Sequence, residues 1–397
     1  MKIAVLSYSQ IAKDNRILRT LDTLTALGHE VTAIGFGEAP ALPVSMIRLP
    51  DQSGRTGQRL SIVATQSPAN LIPASSAFLH FLLRHHRSAR RELLRLRPDI
   101  IHANDWPTLA AATAAKRKVG SRIVYDSHEF ASEEHADNWV WRLVAQKHTR
   151  TLEARYIDAA DAVVTVSEGI AEALQRLYAL PARPIVVSNA PAYRATIPSP
   201  PGEPVRLLFH GIMKRGRGIE ALIGAMPRLP QHHLTLRGEG VRYYAEKLRD
   251  LAAASGAAAR IAFEPNVPYS SVIQAASASH IGVFCAPRDT QQNRFAMPNK
   301  IFEYLMAGLA VVVTADTDLA RLVQKHDCGL TAADSTPEAI AAVLASLDAE
   351  TLARMRANAL AAARKLCWNE EQAKLIALYQ QLAAGRGLSA PTDRDAS

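Results

Sequence analysis

Pro298-Asn299-Lys300-Ile301-Phe302-Glu303-Tyr304-Leu305-Met306-Ala307-Gly308, followed at once by the apolar run 309–314, joins a helix to a buried strand. Proline suits the first helical position, where no N–H is needed. Gly308 supplies the residue that ends a helix, and the valine-rich run after it reads as a parallel strand covered on both faces. Free N–H groups of the first turn and the helix dipole attract phosphate. Lys300 adds a full positive charge at that end. Glu303 lies three residues after Lys300 and four after Asn299, so the three share one helix face. A carboxylate one turn from a phosphate site repels phosphate but suits hydroxyls such as those of a ribose. Phosphate beside a diol describes a nucleotide, which makes Lys300 and Glu303 candidate ligands. Asn299 is read either as a third ligand or as an ordinary first-turn polar residue.

Outward from this stretch, short apolar runs alternate with helical patterns along the whole chain. Strands are expected at 2–7, 30–36, 100–104, 122–126, 162–166 and 185–188, then at 206–210, 233–237, 261–263, 281–285, 310–314 and 329–332. Between them lie helical stretches such as 14–27, with Asp14 as cap and Ile17, Leu21 and Leu24 as its buried stripe, and 153–160. This alternation predicts an α/β protein with two doubly wound, Rossmann-like parallel-sheet domains facing a cleft. Ligands are then expected beyond the carboxyl ends of the strands. Prolines 198, 200, 201 and 204 mark a linker. The expected organisation is a first domain at 1–190, a linker at 191–204, and a nucleotide-binding domain at 205–368. A last helix at 369–384 packs back toward the first domain, and a disordered tail follows at 385–397.

With 397 residues and 21% charged side chains, the chain has the make-up of an ordinary globular protein. The net charge of +9 fits an anionic substrate, an anionic membrane surface or simple solubility. Aromatics are only 6% and no nucleic-acid module is recognisable, so nucleic acid is not an expected partner. Cys285, Cys328 and Cys367 are too few and too scattered for a disulfide framework or a zinc site, which points to a reducing cytoplasm. Met1-Lys2 leads straight into a strand rather than a signal peptide. The most apolar stretch, around 71–83, is broken by Pro73, Ser75, Ser76 and His80, short of the roughly 18 apolar residues that a membrane span requires.

Several polar residues end predicted strands. His128 follows 122–126, where an imidazole can bond a sugar hydroxyl or, protonated, steady negative charge. Glu129 beside it orients His128, touches a sugar or caps the next helix. His102 and Asp105 end another strand, as a buried pair or as ligand contacts. Gly216-Arg217-Gly218-Ile219-Glu220-Ala221 fits G-x-G-x-x-A, with Glu239 about twenty residues on. Taken literally this is a dinucleotide fingerprint; we read Arg217 as a pyrophosphate ligand, with the glycines letting the backbone approach. Glu239 is placed near the base or ribose, or is a turn carboxylate. Asp316-Thr317-Asp318 reads as a helix cap, so no metal is expected. The pairs His85-His86 and His232-His233 are expected on opposite faces of their elements, making no site. Arg84, Arg87, Arg90, Arg91, Arg95 and Arg97, mixed with leucines, form either a solvated helix face or a contact with an anionic leaflet.

In order and spacing these segments resemble a glycosyltransferase of the GT-B fold, and most of all the large retaining family four. The resemblance rests on Asp99-Ile100-Ile101-His102-Ala103-Asn104-Asp105, Arg122-Ile123-Val124-Tyr125-Asp126-Ser127-His128-Glu129 and Asp161-Ala162-Val163-Val164-Thr165-Val166-Ser167. It continues through Phe209-His210-Gly211, Arg237-Gly238-Glu239-Gly240 and the helix from Pro298, covering the chain to about residue 380. It implies a cytoplasmic enzyme, at the inner face of the cell membrane where its acceptor is lipid-linked. Such an enzyme uses a UDP- or GDP-sugar as co-substrate, with no other cofactor, and transfers to a glycan or lipid-linked hydroxyl with retention. It also implies that His128, Arg217 and Lys300 are catalytic, that Gly211, Arg217, Gly218, Glu239, Asn299, Lys300 and Glu303 hold the nucleotide, and that His102, Asp105 and Glu129 face the sugars. Lys214 is a further candidate for the leaving diphosphate. Three positions depart from the family pattern. Phe295 stands where a first glutamate is usual, Ile212 where an arginine is usual, and Ser7-Tyr8-Ser9-Gln10 where a Gly-Gly loop is usual. Two readings from other classes stay open: an NAD-dependent oxidoreductase on the Gly216–Ala221 fingerprint, and a non-catalytic nucleotide-sugar-binding protein of the same fold. A nucleotide-sugar epimerase of that fold is a near relative of the main reading.

Overall fold

The computed structural model describes residues 1–50, 72, 75–200, 202–240 and 242–385. Two compact units result. One comprises Met1–Val187 with the segment from Gln372, and the other comprises Ser188–Glu371.

In the first unit the described strands are β1 (Lys2–Gln10), β2 (Glu30–Phe36), β3 (Ser45–Arg48), β4 (Ile100–Asn104), β5 (Arg122–Ser127), β6 (Ala162–Thr165) and β7 (Ile185–Val186). They form one sheet in the order β3-β2-β1-β4-β5-β6-β7, with every described pairing parallel. All five residues of β4 are buried. β3 escaped the sequence reading because it is a short edge strand with no fully buried residue. The helix Asn15–Ala26 starts where expected, with the Asp14 carboxylate accepting the Arg16 and Ile17 N–H groups. The helix expected at 153–160 instead runs Lys147–Tyr156 and tightens into a 3-10 turn at Ile157–Ala159. The Glu153 carboxylate anchors it mid-helix, accepting the hydroxyls of Tyr125 at 2.6 Å and Tyr178 at 2.7 Å.

The second unit has β8 (Val205–His210), β9 (His232–Arg237), β10 (Ile261–Glu264), β11 (Ile281–Phe284), β12 (Ala310–Thr314) and β13 (Gly329–Ala332), ordered β10-β9-β8-β11-β12-β13 and parallel throughout. The order reverses beside β8, the switch point at which such sheets hold ligands. Gly282 in β11 makes room for Tyr304, since a Cβ there would sit 2.3 Å from the Tyr304 ring.

The segment expected as a linker is tied into the second unit rather than left free. The Pro191 carbonyl accepts the Trp368 N–H at 2.8 Å, Tyr193 N–H donates to the Asn369 side chain at 2.9 Å, and Arg356 donates to the Ser199 carbonyl at 2.6 Å. Proline clusters signal extended chain; the cross-links that anchor it are distant in sequence. The last helix is Trp368–Ala383, and its residues from Gln372 belong to the first unit. The tail beyond residue 385, Pro201 and most of 71–74 lie outside the described residues. Among the described residues no helix is long and apolar enough to cross a membrane.

Replacing Gly282 by alanine should overpack the contact with Tyr304 and lower stability by about 1–3 kcal/mol. Urea denaturation followed by circular dichroism measures this; an unchanged midpoint would mean that the ring yields freely.

Candidate active site

Asp126, at the end of β5, is the centre of the polar network in the first unit. It is 1% exposed, and a buried carboxylate stays ionised only when it is paired and hydrogen-bonded. Arg16, also buried, grips it with two bonds, Nε to Oδ2 at 2.8 Å and Nη2 to Oδ1 at 2.7 Å. The third arm, Nη1, donates to the Val187 carbonyl at 2.7 Å. Burial alone would raise the Asp126 pKa, but the Arg16 guanidinium and the neighbouring histidines hold it well below the usual carboxylate range.

His102 in β4 completes the network. Its Nε2 lies 3.2 Å from Asp126 Oδ2 and its Nδ1 2.8 Å from the Tyr379 hydroxyl. A carboxylate only accepts, so Nε2 carries the proton and Nδ1 accepts from Tyr379. His102 is fully buried, which corrects its expected role as a sugar contact: both ring nitrogens are occupied inside the protein. It also pairs with Asp126 rather than with Asp105.

His128 is the member that reaches the surface, with 17% of its side chain exposed. Its Nδ1 is 3.4 Å from Asp105 Oδ2, its Nε2 is 3.4 Å from Asp126 Oδ2, and its own N–H donates to Asp105 Oδ1 at 3.2 Å. Burial lowers the imidazole pKa, but the carboxylates Asp105 and Asp126 outweigh it and lift His128 to about 9. At neutral pH it is an imidazolium. Asp105 is held at a positive φ of 60°. Glu129 is exposed, and its carbonyl accepts the Ser127 hydroxyl.

In the second unit Pro298 is the cap, one place earlier than expected. Its φ and ψ of −71° and 143° are extended, its carbonyl accepts the Ile301 N–H at 3.1 Å, and the helix is Asn299–Met306. The first-turn N–H groups at Asn299 and Lys300 therefore lack intrahelical acceptors. Lys300 Nζ sits 3.8 Å above the Phe209 ring and 4.8 Å from the centre of Phe284, and the Arg217 guanidinium lies 5.8 Å from the same Phe284 ring. Burial first, then the cations Arg217 and Lys214, hold the Lys300 pKa well below its ordinary value, against the pull of Glu303. Positive charge is thus crowded here, and an anion would relieve it.

The glycines earn their places sterically. A Cβ on Gly218, whose φ is +75°, would fall 2.1 Å from the Cys285 carbonyl oxygen, and one on Gly238 would fall 1.9 Å from the Gly211 carbonyl oxygen. Glu303, only 8% exposed, has Oε2 3.0 Å from His210 Nε2. His210 stacks on Tyr304 with ring centres 4.7 Å apart, and burial lowers its pKa despite Glu303. Glu239 is exposed; its loop is held by a backbone bond from Met213 to the Glu239 carbonyl.

Lys300, Arg217, Gly211 and Glu303 are therefore gathered around the end of β8 and the opening of one helix, while His128, Asp105 and the buried His102 share one network in the first unit. Arg16, Asp126 and His210 were not singled out beforehand. Asp126 and His210 adjoin residues that were, but Arg16 looks like any surface helix arginine in sequence. The 316–318 run is structural: the Thr317 hydroxyl accepts the Ala320 N–H, and the two aspartates pair with Arg288 and Arg321. His85 and His86, expected on opposite faces, both pack edge-on against Tyr8, because neighbours on a helix are 100° apart rather than 180°.

Raising the pH should deprotonate His128 near 9. A histidine with a raised folded pKa gives stability that is complete below its ordinary value of 6.5 and is lost as pH rises through the folded one. The His128 Cε1–H resonance should titrate near pH 9, and Asp105→Asn should move its midpoint down. A wild-type midpoint at or below 6.5 would rule out this reading of the carboxylate pair.

Two family models match successive parts of the chain: Glycosyltransferase Family 4 over residues 15–190 and Glycosyl transferases group 1 over residues 204–349. A glycogen synthase of Mycobacterium tuberculosis is 26% identical over 154 residues, a stretch that spans 37% of this chain and 37% of that protein. Among solved structures, the sucrose-phosphate synthase of Thermosynechococcus elongatus superposes with a TM-score of 0.75 at 18% identity, covering 96% of this chain and 99% of that one. The Anabaena protein Alr3699/HepE in complex with UDP-glucose gives 0.68 at 16% identity, covering 96% and 100%. By these matches and by its two parallel-sheet α/β units, the chain belongs to the GT-B-fold glycosyltransferases, with a Glycosyltransferase Family 4 region followed by a Glycosyl transferases group 1 region.

Proposed function

We propose that the chain is a retaining hexosyltransferase that moves a sugar from a UDP- or GDP-sugar to a hydroxyl of a glycan or lipid-linked acceptor, without a metal or other cofactor. The observation that carries this reading is the crowding of Lys300, Arg217 and an uncapped helix start at the carboxyl end of β8. A diphosphate placed there meets the Arg217 guanidinium, the Lys300 amine and first-turn N–H groups already in position. Such groups act most strongly where charge grows as the leaving group departs. Glu303, one turn further along, accepts ribose hydroxyls. The acceptor oxygen bonds to the sugar C1 on the face from which the C1–O bond to the diphosphate breaks, and the acceptor proton passes to the departing phosphate oxygen. The His128 imidazolium, whose two ring nitrogens face Asp105 and Asp126, contributes positive charge near the sugar rather than a free N–H. Phe295, where the resemblance places a glutamate, leaves the sugar contact at that position apolar.

Lys300 sets a signature. Burial, then Arg217 and Lys214, lowers its pKa in the free protein, and a bound diphosphate raises it again, so between those two values nucleotide binding takes up a proton. UDP or GDP should bind more tightly at lower pH and weaken as pH rises. Calorimetry in buffers of different ionisation enthalpy reads that uptake directly. Lys300→Ala should weaken binding by roughly 1.5–3 kcal/mol, the range for hydrogen bonds to charged groups, and abolish the uptake. Thermal protection by nicotinamide cofactors, with none by either nucleotide, would overturn the proposal in favour of an oxidoreductase.

The same proposal places the enzyme at an anionic membrane surface, in the assembly of surface polysaccharide or glycolipid. Arg84, Arg87 and Arg91 lie on one side of the helix Arg84–Leu96. With Arg48 they line a concavity of about 940 Å³ in which Glu38 is the one lining carboxylate among the described residues. Phe78 and Leu82, just before that helix, are exposed by 70% and 44%. Vesicles containing phosphatidylglycerol should retain the protein at low salt and release it at high salt. If they fail to retain it at low salt, the membrane assignment falls.

A further inference from the structure

A second, smaller cavity in the first unit, about 220 Å³, opens where β1, β4 and β5 end. Tyr8, Asn104, Asp105, Trp106, Glu129 and Glu134 are among its lining residues. Asn104 is 1% exposed. Its Nδ2 donates to the Leu6 carbonyl at 3.0 Å, which fixes the amide orientation. The Asn104 Oδ1 is left buried with no hydrogen-bond partner among the described residues, and so is the Tyr8 hydroxyl. Buried polar atoms are almost always paired, so an unpartnered amide oxygen on a residue that lines the cavity points to a ligand that pairs it. The surroundings of that oxygen define the ligand. Asn104 Oδ1 and the carboxylates of Asp105, Glu129 and Glu134 only accept hydrogen bonds. No lysine or arginine lines the cavity among the described residues. A phosphate brings acceptors and negative charge to this wall and is repelled. A sugar ring brings hydroxyl donors and an apolar C–H face for the Trp106 indole. That indole is held edge-on against His148, with ring centres 5.9 Å apart. The volume is below the roughly 300–1,000 Å³ of drug-sized sites, and so suits a single ring.

We propose that this cavity takes one uncharged sugar ring as the acceptor end of the transfer and excludes phosphorylated sugars, with Asn104, Trp106 and Glu134 setting that choice. The proposal rests on the transferase reading above and deepens it.

Saturation-transfer NMR on the full chain tests it with three neutral probes, the methyl glycosides of glucose, galactose and N-acetylglucosamine, against glucose 6-phosphate. At least one neutral glycoside should show ring-proton transfer and glucose 6-phosphate none. Glu134 is exposed, so Glu134→Lys leaves the fold intact, as its melting curve checks. That variant should raise the glucose 6-phosphate signal severalfold relative to the neutral glycosides. The inference is overturned if glucose 6-phosphate matches the neutral glycosides in the wild type, if no neutral glycoside gives a signal, or if Glu134→Lys leaves the ratio unchanged. A UDP and GDP titration of the same samples separates the two readings. Nucleotide binding with any of those results sinks this inference alone, whereas loss of nucleotide binding sinks the transferase reading.

Discussion

A carboxylate sealed from water must be met by positive charge and hydrogen bonds or it will not stay ionised, and the first unit is organised around that requirement at Asp126. Arg16 brings the first long helix to it and, through Val187, the end of β7. His102 brings β4 and, through Tyr379, the last helix. One buried charge therefore ties together elements from positions 16 to 379. Removing a partner strands a charge, at a cost of roughly 3–5 kcal/mol. His128 is where this buried electrostatics reaches the surface. Its proton is held by the same carboxylate that anchors the interior, so positioning and chemistry share one group.

The second unit solves the converse problem. The Lys300 amine lies between two phenylalanine rings with Arg217 close by, and burial and that second cation disfavour its charged form. The ring faces offer it weak attraction, the second cation repels it, and the nearest carboxylate, Glu303, is also approached by His210. An anion placed here would relieve that crowding. The glycines serve the same end: Gly218 and Gly238 let backbones approach to distances that any Cβ would block.

Much of this was legible in one dimension because period and punctuation are local. The strands at 30–36, 100–104 and 310–314 emerged with their observed bounds, since parallel strands buried on both faces read as largely apolar runs. The Asp14 cap was equally plain. The edge strand β3 was not, because a half-exposed strand carries no such run. The helix Lys147–Tyr156 was misplaced because its anchor, Glu153, is defined by two tyrosine hydroxyls from elsewhere in the chain.

By itself the sequence determined the α/β class, the two parallel sheets, the helix after Pro298 and the grouping of Lys300 with Glu303 on it. These depend on residues within one or two helical turns of each other. Only the tertiary structure decided that His102 is an interior strut, that Arg16 and not a nearer residue neutralises Asp126, and that Glu303 meets His210. It also decided that the stretch after Ser188 is bound into the second unit. Each of these joins groups about 24 to 277 positions apart. Nothing in local spacing encodes which distant charge will be brought close, because that choice is made by the burial of whole elements, and the free energy of burial is summed over the fold rather than written at any one site.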